Sequence, residues 1–240
     1  MKNVITSVIL FLTVSIYGQK TIDFPSKDGL TMTADVYEAK DSNQFIILFH
    51  QAGWSRGEYL EIAPKLTALG YHCMAVDQRS GGSVNDITNK TNAAAKTEGK
   101  QTEFVDAFQD IEAAVDYVKK TYSPEKIIVW GSSYSSALVL KYAGDNPDVV
   151  NGVLSFAPGE YFGKKNFITS SAVNIKVPVF ITSAKNEKKN WSGIYDAITS
   201  DKKQFFLPET KGNHGSRALW DKFPDSKNYW EAVKEFLKTI

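Results

Sequence analysis

The sequence predicts an α/β fold, with a mostly parallel sheet, helices on both faces, an antiparallel N-terminal hairpin and a minimal cap. After an opening pair of strands, short apolar runs typical of buried strands alternate with segments of helical periodicity. This alternation is typical of parallel sheets, whose strands are joined by helical crossovers. A length of 240 residues with 42% hydrophobic content is sufficient for one well-packed domain.

The charge balance and the residue counts exclude several classes of function. Lys and Arg total 28 and Asp and Glu total 27, so no strong field of one sign is present and no nucleic-acid partner is expected. Cys73 is the only cysteine, which excludes an internal disulfide and a cysteine-rich metal site. The three histidines lack ligand spacing and no phosphate-binding glycine motif matches, so we expect no metal and no cofactor.

The N-terminal residues 1–18 have the pattern of a secretory signal peptide. Lys2 gives a positive start, and an uncharged apolar run follows from Val4 to Tyr17. This run is shorter than the roughly 20 residues of a membrane-spanning helix, so no stable membrane insertion is expected. Gly18 is the expected small residue before cleavage; the alternatives are an uncleaved anchor or a buried N-terminal helix. We therefore expect an exported protein, secreted or periplasmic, with a single domain at 19–240.

The first half of this domain is predicted as a hairpin, two buried strands and a helix between them. Strands are expected at 20–25 and 30–37, with a turn at Asp28-Gly29, and at 45–49 and 73–76. The run at 45–49, FIILF, is continuously apolar, as in strands covered on both faces. Apolar spacing predicts a helix from Tyr59 to Leu69, which ends at Gly70. Residues 79–102 are polar and predict a long loop, either functional or mobile.

The second half continues the alternation of helices and strands. Apolar residues recur every three or four positions from Phe104 to Tyr122 and predict one helix face. A further helix is expected at 134–143, strands at 126–130, 150–156, 177–182 and 204–207, and a last helix whose apolar stripe runs from Trp230 to Ile240. The segment 160–175 leaves room only for a small cap.

The segment Gly131-Ser132-Ser133-Tyr134-Ser135 lies where a buried strand is expected to turn into a helix. Such a tight turn exposes the hydroxyl of its middle residue, and its neighbours must be small because backbone crowds backbone there. Gly131 meets this need, and Ser135 replaces the usual second glycine. The sequence therefore predicts Ser133 as a nucleophile; the alternative is an ordinary helix N-cap.

A nucleophilic serine needs a base, and His214 is the histidine best placed to act as one. It lies in a polar loop between the last expected strand and the last helix, after the serine in the chain, which is the order this architecture uses. The alternative is an ordinary histidine in a surface loop, and His72, at the start of a buried strand, is expected to be structural.

An oxyanion hole is expected beside the serine. The segment His50-Gln51-Ala52-Gly53 directly follows the FIILF strand, so the N–H group of Gln51 or of Ala52 can face a developing negative charge. The N–H group of Tyr134, the residue after the nucleophile, is the expected second donor. The side chain of His50 is expected to order this turn through its own hydrogen bonds.

These motifs together resemble the α/β-hydrolase superfamily: His-x-x-Gly at 50–53, Gly-x-Ser at 131–133 and Gly-x-His at 212–214. The compact core resembles dienelactone hydrolase-like enzymes, serine esterases and acyl-peptidases. The resemblance covers essentially residues 20–240 and implies an acyl hydrolase with a Ser-acid-His triad. Residues 77–82 also resemble the Asp-x-Arg-x-x-Gly stretch of many members, where its role is structural.

The acid is the position at which this sequence departs from the family pattern. The usual aspartate follows the strand expected at 177–182, but this chain has Asn186 there. Glu187 is the next residue and its longer side chain can reach the histidine, which makes it the first choice. Glu160, after the preceding strand, matches a second family variant. The third alternative is a triad without a carboxylate, in which Asn186 only orients His214.

The sequence thus predicts an exported serine hydrolase that acts on a small acyl substrate. Ser133 attacks a carboxylic ester, or a small amide or thioester, and His214 takes and returns the proton. The alternative is a non-catalytic binding protein with the same fold. Asn186 at the usual acid position supports that alternative, whereas the presence of both Ser133 and His214 argues against it.

Overall fold

The computed structural model describes residues 18–240, so the expected signal peptide lies outside the described residues except for Gly18. Eight strands form one sheet in the order β1-β2-β4-β3-β7-β8-β9-β10. They are β1 Gln19–Pro25, β2 Thr31–Tyr37, β3 Gln44–Phe49, β4 His72–Val76, β7 Lys126–Ser132, β8 Gly152–Phe156, β9 Val179–Thr182 and β10 Lys203–Phe206. Two further short strands, β5 Ser83–Val84 and β6 Ile87–Thr88, form a separate hairpin.

The sheet has the predicted mixture of strand directions. β1 pairs with β2 and β2 with β4 in antiparallel register, whereas all pairs from β4 through β3 to β10 are parallel. Gly29 has a φ of 81°, a conformation that suits glycine in the turn between β1 and β2. The predicted parallel sheet with an N-terminal antiparallel hairpin is therefore confirmed.

Helices cover both faces of this sheet. They are α1 Ile62–Ala68, α2 Lys90–Thr97, α3 Phe108–Tyr122, α4 Tyr134–Asp145, α5 Thr169–Ala172, α6 Lys188–Ala197 and α7 Ser226–Leu237, with 3₁₀ turns at Arg56–Tyr59, Phe104–Ala107, Lys185–Glu187 and Ser216–Leu219. Within residues 18–240, no helix combines the length and apolar character needed to span a bilayer.

The alternation of side chains along β3 explains why the core has two halves. Phe45, Ile47 and Phe49 pack on one face with α3, α4 and α6, whereas Ile46 and Leu48 pack on the other face with α1 and α7. Successive residues of a strand point to opposite faces, so a strand in the middle of such a sheet must be apolar throughout. This is the physical reason for the continuous FIILF run.

Two helical predictions extend too far toward the N-terminus. The helix expected from Tyr59 begins only at Ile62, after a 3₁₀ turn, and the face expected from Phe104 begins at Phe108. Asp106 accepts a hydrogen bond from the N–H group of Glu103 at 2.9 Å, which fixes a turn before α3. Phe104 is consequently 37% exposed, and it stacks on Tyr134 instead of entering the core.

The prediction of a long loop at 79–102 is wrong, because this segment contains the β5–β6 hairpin and helix α2. Asn85 and Asp86 adopt φ angles of 50° and 60°, a left-handed turn that Asn and Asp tolerate. The side-chain oxygen of Asn89 accepts a hydrogen bond from the N–H group of Asn92 at 2.7 Å and caps α2. The polar side chains of this segment form turns and cap a helix, so the segment has regular secondary structure despite its polar composition.

Candidate active site

The carboxyl ends of the parallel strands meet at one edge of the sheet, and the predicted site residues follow them. Gln51 follows β3, Ser133 follows β7, Glu160 follows β8, Glu187 follows β9 and His214 follows β10. Ligand sites of open α/β sheets lie at this edge, because the loops there converge. The sheet therefore places all five side chains on the same rim of the molecule.

Ser133 occupies the sharp turn between β7 and α4. Its φ of 58° and ψ of −122° are unusual for a residue with a Cβ atom, and its N–H group donates to the carbonyl of Phe156 at 2.7 Å. Strained backbone of this kind is typical of a nucleophile elbow. A Cβ atom at Gly131 would lie 2.5 Å from Cα of Ser136, which explains the need for glycine at that position.

The two serines flanking the turn have structural partners. The Ser135 hydroxyl donates to the carbonyl of His50 at 2.6 Å and ties α4 to the loop after β3, which accounts for serine in place of the usual glycine. The Ser132 hydroxyl is fully buried; it donates to Glu58 at 2.7 Å and accepts from the N–H group of Ser216 at 2.9 Å. Ser133, which is 8% exposed, is the serine that faces the rim.

Glu187 and His214 are in direct contact. Nδ1 of His214 lies 2.6 Å from Oε1 of Glu187, and the other carboxylate oxygen accepts from the N–H group of Ala184 at 3.0 Å. The carboxylate thus holds the imidazole with a proton on Nδ1 and leaves Nε2 free to act as a base. Both side chains remain partly exposed, at 21% and 30% for the acid and the histidine.

The two alternatives for the acid have different surroundings. Both carboxylate oxygens of Glu160 accept backbone hydrogen bonds at 2.8 Å, from Ile168 and Thr169, at the start of α5. Asn186 is exposed in the 3₁₀ turn that also carries Glu187. The structure therefore brings Glu187 to the histidine, whereas the Glu160 carboxylate is engaged in helix capping.

The two candidates for the first oxyanion donor are distinguished by their hydrogen bonds. The N–H group of Gln51 donates to Oε2 of Glu58 at 2.8 Å, so it is not free to bind a substrate oxygen. Within residues 18–240, the N–H groups of Ala52 and Tyr134 have no hydrogen-bond partner. The geometry thus favours Ala52 over Gln51, with Tyr134 as the second donor.

Tyr161 lies beside the nucleophile. Its hydroxyl donates to the carbonyl of Ala157 at 2.8 Å, and the Ser133 side chain is among the groups that influence its titration. Burial, assisted by the negative charge of Glu187, raises the pKa of Tyr161 to about 12, although the contact with Ser133 opposes this shift. The phenol is therefore neutral at ordinary pH.

Glu58 was not singled out by sequence reasoning, although it contacts two of the segments that form the site. It lies in the 3₁₀ turn at Arg56–Tyr59 and is fully buried, with hydrogen bonds to Gln51 and Ser132. Its only signal in the sequence is an acidic residue shortly before a helical apolar pattern, which is usually a solvent-exposed first-turn residue.

The other two histidines have structural partners. His72 accepts from the N–H group of Ala39 through Nδ1 at 3.1 Å and donates from Nε2 to the carbonyl of Ser42 at 2.9 Å. His50 is fully buried, and its Nε2 accepts from the N–H group of Gln78 at 3.0 Å. Among the residues that the structure describes, no group of His, Cys, Asp and Glu side chains is arranged to hold a metal ion.

Comparison with known structures gives the same fold over nearly the whole chain. An esterase of Pyrococcus furiosus, Pf2001, aligns with a TM-score of 0.72 and 19% identity over 98% of both chains. Dienelactone hydrolase of Anabaena variabilis aligns with a TM-score of 0.72 and 12% identity, over 92% of this chain and 97% of that one. Est1E of Butyrivibrio proteoclasticus, with ferulic acid bound, aligns with a TM-score of 0.69 and 16% identity, over 88% and 96%. At these identities the likeness shows the fold.

The family itself follows from the sequence match. No curated protein matches the sequence significantly. Residues 40–205, more than half of the chain, match the family described as serine aminopeptidase, S33. This range includes the turn at Ser133 and Glu187. The chain is therefore a hydrolase that belongs to the serine aminopeptidase S33 family, within the α/β-hydrolase superfamily.

Proposed function

We propose that this chain is an exported serine hydrolase that cleaves carboxylic esters, or small amides or thioesters, through Ser133, His214 and Glu187. The observation that carries the proposal is the 2.6 Å contact between Glu187 and Nδ1 of His214, on the rim where the strained turn presents Ser133. A carboxylate in this position fixes the tautomer that a serine nucleophile requires of its histidine.

The residues support an acyl-enzyme mechanism. Nε2 of His214 takes the proton of Ser133 as its Oγ attacks the acyl carbon, and the Glu187 carboxylate stabilises the imidazolium that forms. The N–H groups of Ala52 and Tyr134 stabilise the oxyanion of the tetrahedral intermediate. The imidazolium then gives its proton to the leaving alcohol, and a water molecule activated by the same histidine releases the acid and restores Ser133.

An ester is the favoured substrate class because of the named structural neighbours. One is an esterase and another is dienelactone hydrolase, while Est1E was solved with ferulic acid, a small aromatic carboxylic acid. The contact of Glu187 with His214 also weakens the binding-protein alternative, which depended on Asn186 as the third member of the site.

The experiment is labelling by a fluorophosphonate probe together with turnover of p-nitrophenyl esters of rising chain length. We expect Ser133→Ala to lose the label and to lower kcat by about 10⁴-fold or more. Ser132→Ala is the control for the site of labelling alone, and it should still carry the label on Ser133 because the Ser132 hydroxyl is engaged by Glu58. Full labelling of the Ser133→Ala protein would overturn the assignment.

Export is supported by the uncharged apolar run from Val4 to Tyr17. Expression of the full chain in a Gram-negative host should give a periplasmic product that begins at Gln19, as determined by intact mass. A variant lacking residues 1–18 is the control and should remain in the cytosolic fraction. Recovery of the full-length chain, with residues 1–18 still present, in the cytosol would contradict export.

A further inference from the structure

A buried carboxylate lies directly beneath the proposed site. Glu58 has no exposed surface, yet it is not paired with an arginine or a lysine in the described part of the chain. Its Oε2 accepts from the N–H group of Gln51 at 2.8 Å, and its Oε1 accepts from the hydroxyl of Ser132 at 2.7 Å. A buried carboxylate without a direct ion-pair partner is costly to ionise, so its presence points to a purpose other than stability.

Glu58 and its partner Ser132 together join three loops that each carry part of the proposed chemistry. Gln51 precedes the oxyanion donor Ala52, and Ser132 precedes the nucleophile. The Ser132 hydroxyl also accepts from the N–H group of Ser216 at 2.9 Å, in the loop that carries His214. A Cβ atom at Gly215 would lie 2.5 Å from Ser132 Oγ, so this loop packs against Ser132 without room for a side chain.

We propose that Glu58 is a positioning residue of this hydrolase, an inference that rests on the proposed function. Its carboxylate draws the N–H group of Gln51 inward, which leaves the next N–H group, that of Ala52, free to face the reacting carbonyl. Through Ser132, the same carboxylate sets the distance between the turn at Ser133 and the loop of His214. Glu58 acts only through these groups and does not touch the substrate.

The charge state of Glu58 decides whether it can do this, because both of its neighbours donate hydrogen bonds to it. Burial raises its pKa to about 7, against the hydrogen bonds from Ser132 and Gln51 and the nearby charge of Arg217; the imidazole of His214 also lies near it. The phenols of Tyr59 and Tyr134 also face it, and burial raises their pKa values, so they stay neutral. A protonated carboxyl donates from one oxygen, so the Ser132 hydroxyl would have to accept from Glu58 and would lose its own acceptor, which changes the hydrogen bonding between these loops.

The first test is Glu58→Gln, measured by steady-state hydrolysis of p-nitrophenyl acetate. The amide keeps the shape but cannot accept both hydrogen bonds, so kcat should fall about 10- to 100-fold with KM changed less than about threefold. Glu61→Gln, in the same segment but exposed, is the matched control and should match the wild type. An unchanged kcat in Glu58→Gln would overturn the inference, whereas an inactive wild-type protein would instead overturn the proposed function.

The pH profile separates positioning from a simple structural role. In the wild type, both the imidazole and Glu58 must lose a proton, so log(kcat/KM) should fall with a slope approaching 2 on the acid side. In Glu58→Gln this slope should approach 1, and Glu58→Asp should restore part of the steepness.

If Glu58→Gln does not fold, Ser132→Ala removes one of the same hydrogen bonds and should lower kcat in its place. Identical slopes in wild type and Glu58→Gln, or full activity of Ser132→Ala, would overturn the inference.

Discussion

At the scale of single residues, the longer side chain of the proposed acid compensates for its shift by one position in the sequence. Asn186 occupies the place where the family pattern has an aspartate, and its exposed amide carries no charge. Glu187 is one residue further along and one methylene longer, and the 3₁₀ turn at Lys185–Glu187 directs its carboxylate to Nδ1 of His214. A shift of one residue has thus been combined with a longer side chain to put the carboxylate beside the histidine.

This geometry predicts the outcome of three substitutions. Glu187→Gln should lower kcat by about 10²- to 10⁴-fold, because the amide can favour the wrong tautomer of His214. Glu160→Gln should leave kcat within about threefold of the wild type, since Glu160 caps the backbone at Ile168 and Thr169. Asn186→Asp should have little effect while Glu187 is present. Steady-state hydrolysis of p-nitrophenyl acetate checks all three, and a loss confined to Glu160→Gln would move the acid there.

Sequence reasoning reached Glu187 but not Glu58, and the difference is physical. Glu187 stands beside a position that a known pattern marks, so its contact with His214 could be anticipated from the reach of its side chain. Glu58 acts through hydrogen bonds to Gln51 and Ser132, and the latter lies 74 positions away along the chain. Contacts between loops depend on how the strands align in the sheet, which no local pattern contains.

At the scale of elements, the close approach of β7 and α4 produces the turn at Ser133. Gly131 is the residue that permits this approach, since an added Cβ atom would overlap the backbone of Ser135 and Ser136. The helix then starts immediately at Tyr134, whose N–H group is the second oxyanion donor in the proposed mechanism. The strand, turn and helix therefore form one unit whose tight packing is a condition of the proposed chemistry.

Gly131→Ala should consequently reduce both activity and stability. The added methyl group forces α4 away from β7, and overpacking of this kind costs about 1–3 kcal/mol. Gly193→Ala is the matched control, because Gly193 lies in α6 and, apart from its chain neighbours and its own helix backbone, no described atom lies within 4 Å of an added Cβ. It should stabilise the protein slightly, by up to about 1 kcal/mol. Urea unfolding and ester turnover check both, and equal stability of the two variants would contradict this account.

Predictions for whole elements succeeded where apolar periodicity was strong and failed where polar side chains organise the backbone. The strands of the sheet and the helix α4 follow directly from their apolar patterns. In contrast, helix α2 is capped by Asn89, whose amide also donates to the carbonyl of Gln78 at 2.8 Å. A polar, loop-like composition concealed this element, because Asn and Thr are also common in turns.

At the scale of the whole molecule, an exposed and a buried carboxylate link folding to pH in opposite directions. Arg79 is almost fully buried and binds both Asp110 and Asp28, and the hydrogen bonds it donates to Asp28 lower the pKa of that carboxyl well below its usual range. Glu58 is the opposite case, because burial raises its pKa. The Asp-x-Arg stretch at 77–79 thus has the structural role that the family resemblance implies, while Glu58 opposes stability when ionised.

The sign of each contribution follows from proton linkage. Asp28 has a lower pKa in the folded protein than in the unfolded chain, so its contribution to stability is present above about pH 4 and is lost as the pH falls further. Glu58 has a folded pKa of about 7 against an unfolded value of 4.5, so the folded state binds a proton that the unfolded state does not. The free energy of unfolding should therefore decrease as the pH rises from about 4.5 to 7 on account of Glu58.

Urea unfolding of two variants between pH 3 and 9 tests these opposite effects of Asp28 and Glu58 on stability. Relative to the wild type, Glu58→Gln should remove most of the decrease between about pH 4.5 and 7, because no carboxylate has to ionise in the core. Asp28→Asn should be less stable than the wild type near pH 6 and should lose less on acidification, because the wild-type ion pair with Arg79 is already absent. The difference in the free energy of unfolding between each variant and the wild type separates the effect of Glu58 or Asp28 from the titration of other groups. A Glu58→Gln protein whose stability declines as steeply as the wild type would show that Glu58 is not protonated in the folded state at mildly acidic pH.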